Sequence, residues 1–292
     1  MAEREKEWTV LSMLEWATDY FEKKDVPSPR LSIEWLLADM LGVKRLDLYL
    51  KFDRPLYPDE LEKLRPVIKR RGLHEPLQYI TGSADFVNCR IDVNPSVLIP
   101  RVETEQLVEL ILKDFQARAD EVLHVLDIGT GSGCIPIAIA KAHPRWKCAG
   151  VDISERALKL AEKNAACNKV KVEFLKEDLH TLGNNNQLQN RKFDIVVSNP
   201  PYILPDDRKT LDKQVLEYEP EEALFHKNPL GLYQQIGNYA FTTLSEAGRL
   251  YLECNHKFTW DIKNNLGNSF PIVDILPDYD ERERFIRALK SV

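Results

Sequence analysis

VLHVLDIGTGSGCIPIAIAKA, residues 122–142, passes from an apolar strand over 122–126 through a turn with glycines at 129, 131 and 133 into an apolar helix over 135–142. Outward from it the same alternation repeats. Strands are expected over 148–152, 170–175, 193–198 and 249–253. Helices are expected over 155–166, with Ser154 as its cap, and over 230–244. Strands that alternate with helices predict an α/β fold, a parallel sheet covered on both faces. The segments 271–276 and 284–289 are placed to close its edge, and the Asn-rich stretch 183–187 reads as a surface loop.

A glycine turn between strand and helix lets a ligand approach the backbone, and the helix start offers free N–H groups. Three ligands compete for it. A nucleoside triphosphate needs a lysine directly after the last glycine, and none occurs before Lys141. A dinucleotide needs G-x-G-x-x-G. Here the third place is Cys134 and the glycine comes one residue early, at Gly133. Asp127, just ahead of the turn, would also repel a pyrophosphate. S-adenosylmethionine carries no phosphate. Its ammonium, carboxylate and sulfonium suit one acid, Asp127, beside the backbone of Gly129, Thr130, Gly131, Ser132 and Gly133. Asp152, at the end of the second strand, can accept both ribose hydroxyls. Asp178 and Leu179, after the third, can meet the adenine.

The fourth strand ends in Ser198-Asn199-Pro200-Pro201-Tyr202. Two prolines have stiff φ angles and no N–H, so this loop presents carbonyl oxygens in a fixed direction. Asn199 adds a side-chain acceptor and Tyr202 a flat ring. Two acceptors and a ring fit a planar NH₂ group, as in an amide or an aromatic amine. Methylating such a nitrogen demands positioning and stabilisation of growing positive charge rather than a strong base.

The rest of the chain frames this site. Residues 1–75 read as a small helical bundle. Ser28 caps its second helix, with Pro29 at the first position, and Trp16 and Trp35 are expected in its core. Residues 76–103 read as short strands, over 77–81, 84–88 and 90–93, that form a β-hairpin linker to a domain over 104–292. The 292 residues carry 40 Lys and Arg against 46 Asp and Glu, a net charge of −6, which disfavours direct nucleic-acid binding by phosphate attraction. The densest basic cluster, Arg65, Lys69, Arg70 and Arg71, reads as a solvated helix face. Five cysteines without a C-x-x-C pair suggest a reducing compartment. With no apolar leader in MAEREKEWTV and no run of membrane-spanning length, a cytoplasmic protein is expected, with no membrane association and no metal.

The D-x-G-x-G-x-G turn together with Asn199-Pro200-Pro201-Tyr202 resembles the class I amino-methyltransferases. Three stretches narrow the resemblance to the bacterial peptide chain release factor glutamine methyltransferases of the HemK/PrmC type: EPLQYITG at 75–82, VLIPRVETE at 97–105 and SNPPYI at 198–203. That resemblance covers nearly the whole chain. It implies a Rossmann-like, mostly parallel seven-stranded sheet and a helical substrate-recognition domain. It further implies methylation of the glutamine of the Gly-Gly-Gln motif in class I release factors, with S-adenosylhomocysteine as the other product; a monomer is expected. Carried over, Gly129 to Gly133 and Asp152 would bind the cofactor. Asn199 and the Pro200 carbonyl would hold the glutamine amide, with Pro201 and Tyr202 flanking it. Arg101 would either anchor the linker or touch the substrate loop. The chain departs from the family pattern at Asn88, Val102, Leu179 and Cys254-Asn255-His256. The alternative substrate is the exocyclic amine of a nucleic-acid base.

Overall fold

A computed structural model describes residues 7–182, 188 and 190–291. The loop expected over 183–187 lies outside them. The chain divides into two compact units, one of residues 1–82 with 212–218, the other of 83–211 with 219–292.

The first unit is helical: α1 Val10–Glu22, α2 Pro29–Leu41, a 3-10 turn Arg45–Leu50, α3 Pro58–Arg71 and α4 Leu77–Thr81. Thr9 and Ser12 cap α1 reciprocally, each side-chain oxygen accepting from the other's backbone N–H. Val10, Met13, Leu14, Ala17 and Phe21 of α1 pack on Ile33, Leu36 and Leu37 of α2. Four expectations fail here. Leu77–Thr81 is a helix, because Pro76 O accepts from the N–H of both Tyr79 and Ile80. Ser28 sits at φ 49° and makes no side-chain cap. Trp16 and Trp35 are 43% and 39% exposed, so they lie outside the core. The basic cluster is no uniform solvated face. Arg71 is buried on Ser32 Oγ and the carbonyls of Pro27 and Glu75, and Arg70 pairs with Glu75.

The second unit opens with the hairpin β1 Ser83–Phe86 and β2 Cys89–Asp92, paired Phe86 to Cys89. Then follow α5 Val102–Asp114, β3 His124–Ile128, α6 Cys134–Ala142, β4 Lys147–Asp152, α7 Glu155–Cys167, β5 Val172–Lys176 and β6 Phe193–Ser198. After α8 Lys213–Tyr218, which belongs to the helical unit, come α9 Glu221–Leu224, α10 Pro229–Thr243, β7 Leu244–Glu253, α11 Thr259–Leu266, β8 Ile272–Pro277 and β9 Glu283–Leu289. Seven strands pair in the order β5-β4-β3-β6-β7-β9-β8. Only β9 runs against the others. The central strands are apolar on both faces, as parallel strands between two helical layers must be. Leu126, Val151, Val196 and Leu250 pack with Tyr233, Ile236 and Ala240 of α10. Among the described residues, no helix is long and apolar enough to cross a membrane.

Candidate active site

Register places the site. Ile128 of β3 pairs with Val151 of β4 and Ser198 of β6, Ser198 pairs with Leu252 of β7, and Asp152 pairs with Lys176 of β5. The glycine turn, Asp152, Asp178, Asn199 and Glu253 therefore leave the carboxyl ends of five neighbouring parallel strands at one level, where open α/β sheets bind ligands.

Gly129, Gly131 and Gly133 have φ of 75°, 53° and 78°, a region costly for any residue with a Cβ. Nothing lies within 4 Å of where a Cβ would stand on Gly129 or Gly131, so that side of the turn is open. The expected supply of free N–H groups is smaller than the sequence implied. Gly129 and Thr130 both donate to Val151 O, Gly131 to Asp152 Oδ2 (2.8 Å) and Gly133 to Thr130 O. Among these five residues only Ser132 keeps an N–H for a ligand. The Asp152 carboxylate also accepts from Ser154 N (2.9 Å), so it fixes the turn to the start of α7. Burial raises its pKa against the pull of those backbone bonds.

Asp127 is wholly buried and neither carboxylate oxygen has a hydrogen-bond partner. The Thr130 hydroxyl is also buried without one. Burial lifts the Asp127 carboxyl to about 7. The neighbouring Thr130 works against that rise and Asp152 adds to it. A buried acid that lacks a donor, beside a turn with open space, suits the ammonium of an amino-acid ligand and would repel a phosphate. These residues therefore fit S-adenosylmethionine. Asp178 and Leu179 lie just past β5, both half-buried. Asp178 Oδ1 accepts from His180 N and Leu179 packs on the core.

Asn199 stands at the head of the two-proline loop. Its Nδ2 donates to Thr104 Oγ1 (3.1 Å), and Thr104 Oγ1 donates to Glu253 Oε2 (2.7 Å). The Tyr202 hydroxyl approaches Glu253 Oε1 at 3.4 Å. Glu253 is 1% exposed, and burial raises its carboxyl to about 7, against the Thr104 hydrogen bond and the Arg284 charge. Asn199 Oδ1 and the Pro200 carbonyl accept no hydrogen bond from the described residues, so both remain acceptors for something else. Arg101 is occupied by the buried Glu219 (2.5 Å), which also accepts from Ile99 N (3.1 Å). That geometry makes Arg101 an anchor of the 97–101 segment. Among the described residues no group of three His, Cys, Asp or Glu could hold a metal ion.

Sequence reasoning passed over Thr104, Glu253 and Asn164. Glu253 had a signal, an acid closing an apolar strand, the same pattern that singles out Asp127 and Asp152. Asn164, wholly buried in α7, donates to Ser132 O and Asp92 O and accepts from Asp92 N, so it joins the glycine turn to the hairpin.

Comparison with known proteins adds a second line. Residues 12–82 match the PrmC N-terminal domain and residues 101–219 the Methyltransferase small domain. A Release factor glutamine methyltransferase of Geobacter sulfurreducens is 41% identical over 87% of this chain and 86% of its own. Those of Leptospira interrogans (37%, covering 95% and 97%) and Chlorobaculum tepidum (36%, covering 98% of each) match nearly end to end. Among solved structures, the hMettl16 catalytic domain in complex with a MAT2A 3'UTR hairpin overlays with a TM-score of 0.55 at 15% identity, over 81% of this chain and 83% of that one. The Thermus thermophilus 16S rRNA methyltransferase RsmC, with AdoMet and guanosine, gives 0.50 at 19%, over 71% and 49%. At such identities the likeness is one of fold.

Proposed function

The chain belongs to the release factor glutamine methyltransferases, and from that premise we propose that it transfers a methyl group from S-adenosylmethionine to the side-chain amide nitrogen of the glutamine in the Gly-Gly-Gln motif of class I release factors. The observation that carries the substrate half is the pair of unoccupied acceptors, Asn199 Oδ1 and the Pro200 carbonyl, on a loop that two prolines stiffen. A primary amide has two N–H groups, and these two oxygens take one each.

Bound at the glycine turn, S-adenosylmethionine supplies an electrophilic methyl on its sulfonium. Asp127 would take its ammonium, the Ser132 N–H its carboxylate and Asp152 its ribose, with Asp178 and Leu179 at the adenine. Asn199 and Pro200 hold the glutamine nitrogen in line with the methyl, and Tyr202, with Pro201, flanks the amide plane. The same oxygens favour the positive charge that grows on nitrogen during transfer. Asn199 is uncharged and serves as no base, since the methylated nitrogen is acidic enough to release its proton to water. Arg101 acts through Glu219 to fix the segment ahead of α5.

The test is mass spectrometry of an unmethylated class I release factor after incubation with the protein and S-adenosylmethionine. One added methyl on the glutamine of Gly-Gly-Gln is the expected result. An unmodified peptide, with cofactor binding intact, would overturn the substrate assignment and turn attention to a panel of oligonucleotides.

A further inference from the structure

We infer that Glu253 is a positioning residue that sets the direction of the Asn199 amide, acting through the Thr104 hydroxyl. The inference rests on the reading of Asn199 as the acceptor for the substrate amide, and it explains why Oδ1 rather than Nδ2 faces that substrate.

Hydrogen-bond polarity sets that direction. A carboxylate only accepts, and a threonine hydroxyl has one proton. Glu253 Oε2 lies 2.7 Å from Thr104 Oγ1, so that proton is committed to Glu253. What remains on Thr104 Oγ1 is a lone pair, and the group 3.1 Å away on Asn199 must donate to it. Nδ2 therefore turns inward and Oδ1 outward. Reversing the amide would set two oxygens against each other in a site where Thr104 is 3% exposed and Glu253 1%, and a buried acceptor facing an acceptor is costly. A reversed Asn199 would also offer N–H groups to the N–H groups of the substrate. Glu253 reaches the motif a second time, through the Tyr202 hydroxyl on Oε1.

The groups facing Glu253 come from five elements. They are Thr104 and Glu103 of α5, Tyr202 of the two-proline loop, Arg284 of β9, Cys254 after β7, and Tyr233 of α10, whose hydroxyl donates to the Glu253 backbone carbonyl. Arg284 is itself paired with Asp278 (2.7 Å). Once protonated, the Glu253 carboxyl can donate to Thr104, and the one-way chain is lost.

The experiment measures methylation of a class I release factor by the full-length wild-type chain and by Thr104→Val, Thr104→Ser and Glu253→Gln. Cofactor is held at saturation, so that titration of Asp127 does not enter. Thr104→Val keeps the shape and removes the hydroxyl. We expect kcat to fall by about 10- to 100-fold, with release-factor KM and cofactor affinity within a few-fold of wild type. Thr104→Ser should recover most of the rate. In wild type kcat should fall as the pH drops through about 7. Glu253→Gln carries a donor beside its acceptor at every pH, so it should be slow throughout and lack that step. Wild-type kcat in Thr104→Val, or an unchanged acid limb in Glu253→Gln, would overturn the inference and leave the functional reading standing. A wild-type chain that binds cofactor and leaves the glutamine unmethylated would overturn both.

Discussion

Asp127 carries a stability cost at the scale of one side chain. Its carboxylate is wholly buried and no group of the protein donates to it, and an uncompensated buried charge costs several kcal/mol at neutral pH. Asp127→Asn removes the charge and keeps the shape. We expect the variant to melt a few degrees above wild type at pH 8 without ligand and to bind S-adenosylmethionine at least ~10-fold more weakly, since a charge-assisted bond is worth about 1.5–3 kcal/mol. A variant that melts lower and binds as well would show that the acid faces no ammonium. Asn199→Ala separates the other half of the site. Cofactor affinity by calorimetry should change little, while turnover drops by ~10²–10³-fold, the scale of losing one preorganised donor or acceptor aimed at developing charge. Retained turnover would dismiss the amide clamp. The strand-end places of Asp127, Asp152 and Asn199 were legible in the sequence because each closes a continuous apolar run, and the end of such a run shows where a buried parallel strand stops. Thr104 was not. Its hydroxyl gains a role only because α5 approaches the ends of β6 and β7, and no local pattern records that approach.

At the scale of elements, the alternating strands and helices of the sheet were readable in order and type, with β6 at the expected 193–198, while β7 begins at Leu244 rather than 249 and β3 ends at Ile128 rather than 126. Buried parallel strands have strong apolar runs and their helices have clear caps, as Ser154 shows by accepting from Ala157 N. Short elements were misread. Leu77-Gln78-Tyr79-Ile80-Thr81 has strand-like residues, yet one helical turn forms there between Pro76 and Gly82 because Tyr79 is buried in it. Tertiary packing outweighs propensity in a segment of that length. The hairpin turn carries a further cost. Val87, the first of its two turn residues, takes φ 51° while Asn88 does not take positive φ, and a β-branched side chain is strained there. Its N–H is fixed on Glu105 Oε1 (2.9 Å) and Asn88 O on Lys141, so the turn cannot relax. The Val87 side chain is only half-buried, so the strain outweighs what its burial contributes. Val87→Gly should therefore stabilise the protein by about 1 kcal/mol. Urea denaturation measures it, and a lower midpoint would mean that the Val87 side chain contributes more by packing than its backbone costs.

Over the whole molecule, the two buried acids of the site give folding an unusual dependence on pH. Asp127 and Glu253 both titrate near 7 in the folded chain, against about 4 in an unfolded one. Between those values the native state holds protons that the unfolded state has released, so stability falls as the pH rises from about 4 to about 7 and levels off above it. The loss could reach ~4 kcal/mol for each acid as an upper bound. Other acids act in the opposite sense. The Arg54 hydrogen bond holds the Glu60 carboxyl below its ordinary value. Glu34 is pushed up by burial but brought down further by Tyr49, Arg45 and Arg30. Their contribution is present above about pH 4.5 and is lost as the pH drops through their lowered folded values. The ligand-free protein should thus be most stable near pH 4–5, with a lower melting temperature at pH 8 than at pH 6. Saturating S-adenosylmethionine should flatten that fall, because an ammonium beside Asp127 makes its ionised form the favoured one, while the part due to Glu253 persists. Thermal melts at pH 6, 7 and 8 with and without cofactor decide it. Equal slopes in the two series would mean that the ligand does not reach Asp127, and a rising slope in the ligand-free series would mean that neither acid is held neutral by burial.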